Sequence, residues 1–192
     1  GDMITIWHEE GGMIESLFVT LFPMGFLIVL FGGGELFRRK NIDMGGDPPI
    51  GKVLFSSSKY LIVLLWAAMV MHSWGINLSF TKVPELLKWV ALCCWVSGFV
   101  LLFIGRFGLG KAFRIGSPKE RTNLTVDGLF RFSRNPMYLG VYATLLASVL
   151  YTLNPLVFVM GIFVVAVHHK IVLAEEQYLR TVFGEQYTAY CH

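Results

Sequence analysis

The sequence predicts an all-α integral membrane protein with about five transmembrane helices, each long enough to cross an apolar layer of about 30 Å. Hydrophobic residues make up 55% of the 192 residues and charged residues only 15%, whereas soluble domains carry about 25% charged residues. The mean hydropathy is +0.60. These values leave no room for a separate soluble domain, so residues 1–192 are expected to form one membrane domain.

Three apolar stretches occupy the first part of the chain, at residues 14–31, 60–78 and 86–104. Three consecutive glycines, at residues 32–34, follow the first stretch and favour a helix end. They do not indicate a phosphate-binding loop, since no strand precedes them and no Lys-Ser or Lys-Thr pair follows.

The C-terminal part, residues 106–192, contains two more apolar stretches that predict a helical hairpin over residues 136–173. Its arms are each just long enough to cross the apolar layer, and Asn154-Pro155 marks the turn between them. Because the chain reverses at this turn, the residues before the first arm and after the second arm are expected at the same membrane face.

Lysine and arginine predict the orientation, because they accumulate in the cytoplasmic loops of membrane proteins. Residues before the first apolar stretch include neither, so the N-terminus is expected outside and the C-terminus in the cytoplasm. The net charge of +3 then reflects topology and attraction to anionic membrane lipids, with no indication of nucleic-acid binding. The two basic clusters are Arg38, Arg39, Lys40, Lys52 and Lys59 after the first stretch, and Arg106, Lys111, Arg114, Lys119, Arg121, Arg131 and Arg134 after the third.

Polar residues precede the first arm of the hairpin. Pro136 suits the first turn of a helix, so Arg134 and Asn135 come just before it and Tyr138 lies in its first turns. The helix N-terminus and Arg134 together would attract a carboxylate or a phosphate. The alternative is that Arg134 reaches lipid head groups and Tyr138 belongs to an interfacial aromatic belt.

The second arm ends in a pair of carboxylates. At 100° per residue, Glu175 falls near the centre of an apolar arc with His168 beside it, so Glu175 is expected to point inward and to need a cation as partner. Glu176 lies at the edge of the arc and can pair with Arg180 at i,i+4. His168 is either a packed histidine or a ligand-binding or basic residue.

Several motifs in the C-terminal part carry a family resemblance: Asp127-Gly128-Leu129-Phe130-Arg131-Phe132, Arg134-Asn135-Pro136 with Tyr138 and Gly140, Glu175-Glu176 with Leu179, Phe183-Gly184, and Tyr187 with Tyr190. These motifs resemble the isoprenylcysteine carboxyl methyltransferase and phospholipid N-methyltransferase superfamily. The resemblance implies a membrane enzyme that binds S-adenosylmethionine at the cytoplasmic face and methylates a lipid-like or amphiphilic acceptor. It covers roughly the last 80 residues.

The resemblance also implies roles for individual residues. Arg134 and Glu175 are the expected catalytic residues, and Arg114 and Lys170 are expected to contact the acceptor. Members of the superfamily often have histidine at the position of Asn135, and prenylcysteine-modifying members often have arginine near the position of Lys170. The expected cofactor contacts are Arg134, Asn135, Tyr138, Gly140, His168, Glu175 and Glu176.

The sequence does not identify the methyl acceptor. The candidates are the carboxylate of an isoprenylcysteine, a phospholipid amine and a thiol. An NADPH-dependent reductase similar to membrane sterol reductases and a non-catalytic membrane scaffold are the competing classes. No metal site is expected, because Cys93, Cys94 and Cys191 lack the spacing of metal ligands. The sequence does not indicate an oligomeric state.

Overall fold

The apolar stretches fold as α-helices, because a segment in lipid must satisfy its backbone hydrogen bonds internally. The computed structural model describes residues 2–38, 50–109 and 135–190, with side chains for 12–32, 50–108 and 135–189. These ranges contain no strand, which confirms the all-α fold class. Their helices are α1 (Asp2–Arg38), α2 (Lys52–Ser73), α3 (Glu85–Leu109), α4 (Pro136–Thr152), α5 (Pro155–Phe183) and α6 (Glu185–Tyr190).

The lengths of the helices bear on the number of membrane crossings. Within the described residues, 4 segments are long and apolar enough to cross: Gly12–Gly32, Lys52–Ser73, Glu85–Gly108 and Pro155–Phe183. Helix α4 has 17 residues, or about 25 Å at 1.5 Å per residue, which is shorter than the apolar layer of about 30 Å. A fifth crossing and the orientation of the chain therefore stay predictions.

Helix α2 does not coincide with the predicted stretch 60–78, because it begins at Lys52 and ends at Ser73. Its end is set by Gly75, whose φ of 90° is readily adopted by glycine. The helix starts earlier than predicted because the charge of Lys59 is compensated within it. The Lys59 ammonium nitrogen lies 3.7 Å from the centroid of the Phe55 ring. A cation assigned to a loop is therefore part of a membrane helix.

Helices α3 and α4 make the most extensive contact between any two described helices. A Cβ atom added to Gly140 would lie 2.7 Å from the carbonyl oxygen of Gly98, and one added to Gly98 would lie 2.9 Å from the carbonyl oxygen of Gly140. The two backbones therefore touch, an approach that small residues permit in membrane helices. The buried core is built beside this contact, with Trp66, Trp95, Phe99, Leu102 and Leu145 among its members.

A hydrogen bond from α3 compensates for a proline inside α1. Pro23 has no N–H group, so the carbonyl of Val19, four residues earlier, loses its helical donor. The indole Nε1 of Trp95 donates to this Val19 oxygen at 3.1 Å. Val19 and Trp95 are both fully buried, so no water is available to replace the bond.

A two-residue turn joins α4 to α5. Leu153 adopts a left-handed conformation with φ 41°, and the side-chain oxygen of Asn154 accepts hydrogen bonds from the N–H groups of Leu156 at 2.8 Å and Val157 at 3.3 Å. Asn154 therefore caps α5, and Pro155 occupies its first position, where a missing N–H is harmless. Such a short connection reverses the chain.

The described bundle has two ends. The turn end consists of residues 74–84 and 153–154, and the site end consists of residues 50–59, 135–138 and 168–183. At the turn end, the Glu15 carboxylate pairs with the Lys88 ammonium at 2.7 Å and accepts a hydrogen bond from the Tyr151 hydroxyl. These contacts join α1, α3 and α4 at the end opposite the candidate site.

Alanine at Gly98 or Gly140 is expected to lower the free energy of unfolding by about 1–3 kcal/mol, because the added methyl group meets backbone that cannot move unless α3 and α4 separate. Thermal unfolding in detergent measures the effect. Gly161→Ala is the matched control, since Gly161 is also buried in a helix but its Cβ would meet only a Val149 methyl at an ordinary 3.5 Å. Equal stability of all three variants would contradict the close approach.

Trp95→Phe is expected to cost about 1–3 kcal/mol of folding free energy beyond the loss of packing, because the buried Val19 carbonyl is left without a donor. Pro23→Ala supplies a helical N–H to that carbonyl. The second substitution should therefore offset part of the damage in the Trp95→Phe protein. A double-mutant cycle of unfolding free energies measures this coupling, and strictly additive effects would rule out the link.

Candidate active site

The hairpin brings Tyr138 and Glu175 together at the site end. The Tyr138 hydroxyl donates a hydrogen bond of 2.9 Å to Oε1 of Glu175. Tyr138 lies in the first turn of α4 and Glu175 near the end of the long helix α5, and both are partly buried. A hydrogen bond to a carboxylate is strong in such surroundings, because water competes weakly for either partner.

His168 lies next to this pair. It is buried, its Nδ1 is 3.0 Å from the Val164 carbonyl oxygen, and its ring centroid is 5.7 Å from that of Tyr138. A carbonyl only accepts hydrogen bonds, so this contact assigns the proton to Nδ1 and leaves Nε2 of the neutral ring as an acceptor. His168 is thus a packed residue that contacts Tyr138 and retains one basic nitrogen.

The N-terminal part of α2 closes the site from another side. Phe55 forms a buried cluster with Val167 and Ile171 of α5, and Tyr138 packs against this cluster. The ammonium nitrogen of Lys59, one helical turn after Phe55, lies 3.7 Å from the centroid of the Phe55 ring. Neither Phe55 nor Lys59 was predicted as a site residue, although an aromatic residue and a lysine at i,i+4 before an apolar stretch are a recognisable signal.

The start of α4 offers fewer anion-binding groups than the sequence suggests. Pro136 has no N–H, and the N–H of Tyr138 bonds back to the Asn135 carbonyl at 3.1 Å. The Asn135 side chain makes no capping hydrogen bond to the helix. An anion at the site end therefore depends more on cationic side chains than on the backbone of α4.

Several other predicted site residues have different surroundings. Gly140 packs against the backbone of Gly98 in α3. The cofactor contact expected for Gly140 therefore stays a prediction. Lys170 is exposed on α5, and Glu176 is partly buried. Arg114 and Arg134 lie outside the described residues.

Arg106 is a second cation that was predicted to lie in a loop but lies in a helix. It lies in the last turn of α3 and is only 4% exposed. The residue before it, Gly105, packs directly against Met137 in the first turn of α4. The α3–α4 contact therefore brings a buried guanidinium group near the beginning of α4. Buried charges in membrane helices are rare and mostly functional.

Comparison with known proteins assigns this hairpin to a family. A family model described as phospholipid methyltransferase matches residues 86–186, more than half of the chain. The match runs from the start of α3 into α6, so it includes Tyr138, His168 and Glu175 and leaves out α1 and α2. No curated protein and no solved structure matches the chain.

The match confirms the resemblance drawn from the motifs and indicates a membrane methyltransferase in broad terms. The apolar surface agrees with a membrane location, because large apolar residues are exposed along α1, α2, α3 and α5. The chain belongs to the phospholipid methyltransferase family.

Proposed function

We propose that this protein transfers a methyl group from S-adenosylmethionine to a lipid-like or amphiphilic acceptor at the cytoplasmic face of the membrane. The observation that carries the proposal is the hydrogen bond from Tyr138 to Glu175, which puts a partly buried carboxylate at the open end of the family-matched hairpin. Carboxylates are costly in a membrane domain and mark functional sites. The cytoplasmic location rests on the distribution of lysine and arginine in the sequence.

The site suits the methionine end of the cofactor, which carries an ammonium and a carboxylate. The Tyr138 hydroxyl engages Oε1 of Glu175, and an ionised carboxylate can accept further hydrogen bonds from an ammonium. Arg134 is the main proposed partner of the cofactor carboxylate, and the start of α4 makes a smaller contribution. Asn135 and Tyr138 would contact the adenosine, and the basic residues Arg114 and Lys170 would contact the acceptor.

S-adenosylmethionine, when bound, supplies an electrophilic methyl group on a sulfonium sulfur. Transfer forms the bond from acceptor to methyl while the carbon–sulfur bond breaks, and the sulfur keeps the bonding electrons. The protein's task is to align the three atoms and exclude water. An amine or thiol acceptor also loses a proton, for which Nε2 of His168 or the Glu175 carboxylate is the proposed base.

A phospholipid amine is the acceptor that the family description favours. An acceptor with an apolar tail would reach the site end from the bilayer, with its tail in lipid and its head beside Tyr138. An isoprenylcysteine carboxylate is less well supported, because Lys170 lacks the planar fork with which arginine binds carboxylates.

The purified protein is expected to bind S-adenosylmethionine or its demethylated product, because the site pairs a carboxylate with expected cationic partners. Isothermal calorimetry in detergent measures this binding directly. NADPH is the control ligand, since it would be bound by a reductase. Binding of NADPH together with no binding of either S-adenosyl compound would refute the proposal.

Glu175→Gln is expected to weaken cofactor binding by about 2–5 kcal/mol, because a charge partner is lost in a partly buried site. Glu176→Gln, at the edge of the apolar arc, should cost less than about 1 kcal/mol. Tyr138→Phe keeps the ring beside His168 and removes one hydrogen bond, so a loss of about 1 kcal/mol is expected. The dissociation constants of the three variants test the assignment, and a larger effect at Glu176 than at Glu175 would reverse it.

A further inference from the structure

We propose that Lys59 is a specificity-determining residue whose ammonium group binds an anionic group, either a phosphate or a carboxylate, on the amphiphilic acceptor. This inference rests on the proposed function and deepens it, because it assigns part of the acceptor site to α2. The family match does not include this helix.

A cation–π contact places the Lys59 ammonium beside the site. Its nitrogen lies 3.7 Å from the centroid of the Phe55 ring, and Phe55 is packed among Ile171, Val167 and Tyr138. Tyr138 in turn contacts the ring of His168 and donates its hydroxyl hydrogen bond to Glu175. The ammonium is therefore held beside the same residues that surround the Tyr138–Glu175 hydrogen bond.

The ammonium is partly buried inside a membrane helix, where a charge is costly without a partner. The Phe55 ring offsets part of this cost through a cation–π contact. The described residues provide no carboxylate that pairs with Lys59. A bound anion would provide the missing partner, because lysine's three rotatable N–H groups can donate hydrogen bonds to a phosphate or to a carboxylate.

The acceptor is a better source of this anion than the cofactor. The cofactor is expected to be common to the family, so the residues that hold it belong within the matched segment 86–186. Lys59 lies outside that segment and on a helix whose exposed face is apolar, with Val53, Tyr60, Val63 and Leu64 exposed. An amphiphile lying along this face would bring its head group to Lys59.

General attraction to anionic lipid is the competing explanation, and Lys52 provides a matched control. Lys52 is a lysine on the same helix, near the same end, but it is exposed at the first helical position. A non-specific surface effect should respond to the loss of either lysine. A built anion site should respond only to the loss of Lys59.

The test is a binding titration of the full-length protein in non-ionic detergent by isothermal calorimetry. The ligands are short-chain phosphatidylethanolamine, which carries a phosphate, farnesylcysteine, which carries a carboxylate, and a neutral short-chain diacylglycerol. Lys59→Met should weaken binding of at least one anionic ligand by about tenfold or more, the loss expected for one charge-assisted hydrogen bond. The ligand that is affected identifies the anion.

The controls keep folding and function separate from the inference. Lys59→Arg should retain most of the affinity, and Lys52→Met should stay within about twofold of the wild type, in keeping with the small effect of exposed charges. Diacylglycerol binding should not change in any variant. Thermal unfolding of Lys59→Met shows whether the variant is folded, and Lys59→Gln, which also removes the charge but keeps a polar side chain, replaces it in the titration if it is not.

Two kinds of result would overturn the inference. One is that the wild-type protein binds neither anionic ligand, or binds the neutral one equally well. The other is that Lys52→Met weakens binding as much as Lys59→Met. Titration of the same samples with S-adenosylmethionine separates the two proposals. If the wild type does not bind S-adenosylmethionine but Lys59→Met still weakens acceptor binding, the proposed function alone is rejected. If the wild type binds S-adenosylmethionine but Lys59→Met does not weaken acceptor binding, the anion site alone is rejected.

Discussion

The backbone contact between Gly98 and Gly140 is the constraint on which the position of the candidate site depends. Helix α4 is too short to be positioned by the bilayer alone, so its depth and rotation are set by α3. Tyr138 lies about half a turn before Gly140 in the same helix. The contact at Gly140 therefore also sets the position of Tyr138. Because the turn to α5 is only two residues long, the same contact also fixes where Glu175 meets Tyr138.

The chemistry of the site end follows from how its charges are compensated. Glu175 accepts a hydrogen bond from the neutral Tyr138 hydroxyl. This bond stabilises the carboxylate without neutralising it, so the carboxylate can still attract a cation. The start of α4 has lost part of its anion-binding capacity to Pro136 and to the backbone bond of Tyr138. Positive charge is instead brought in by neighbouring helices, through the partly buried Lys59 and the buried Arg106.

The sequence predicted most features that depend on local pattern, but the helix end expected at residues 32–34 was wrong, because α1 continues to Arg38. Apolar length and composition gave the membrane helices, and helical periodicity singled out Glu175. The other features it missed depend on contacts between distant segments. Lys59 was assigned to a loop because a charge normally ends an apolar stretch, and its compensation by Phe55 is visible only in three dimensions. The pairing of Gly98 with Gly140 joins different helices, so no periodicity within either one predicts it.

The bond between Trp95 and Val19 makes α1 dependent on a helix that is synthesised later. The donor lies 76 residues after the acceptor in the chain, which at about 5–20 residues per second corresponds to a delay on the order of 4–15 s during translation. Throughout that interval, the Val19 carbonyl has neither a helical donor nor Trp95. Helix α1 therefore leaves the ribosome with an acceptor whose hydrogen-bond donor has not yet been synthesised.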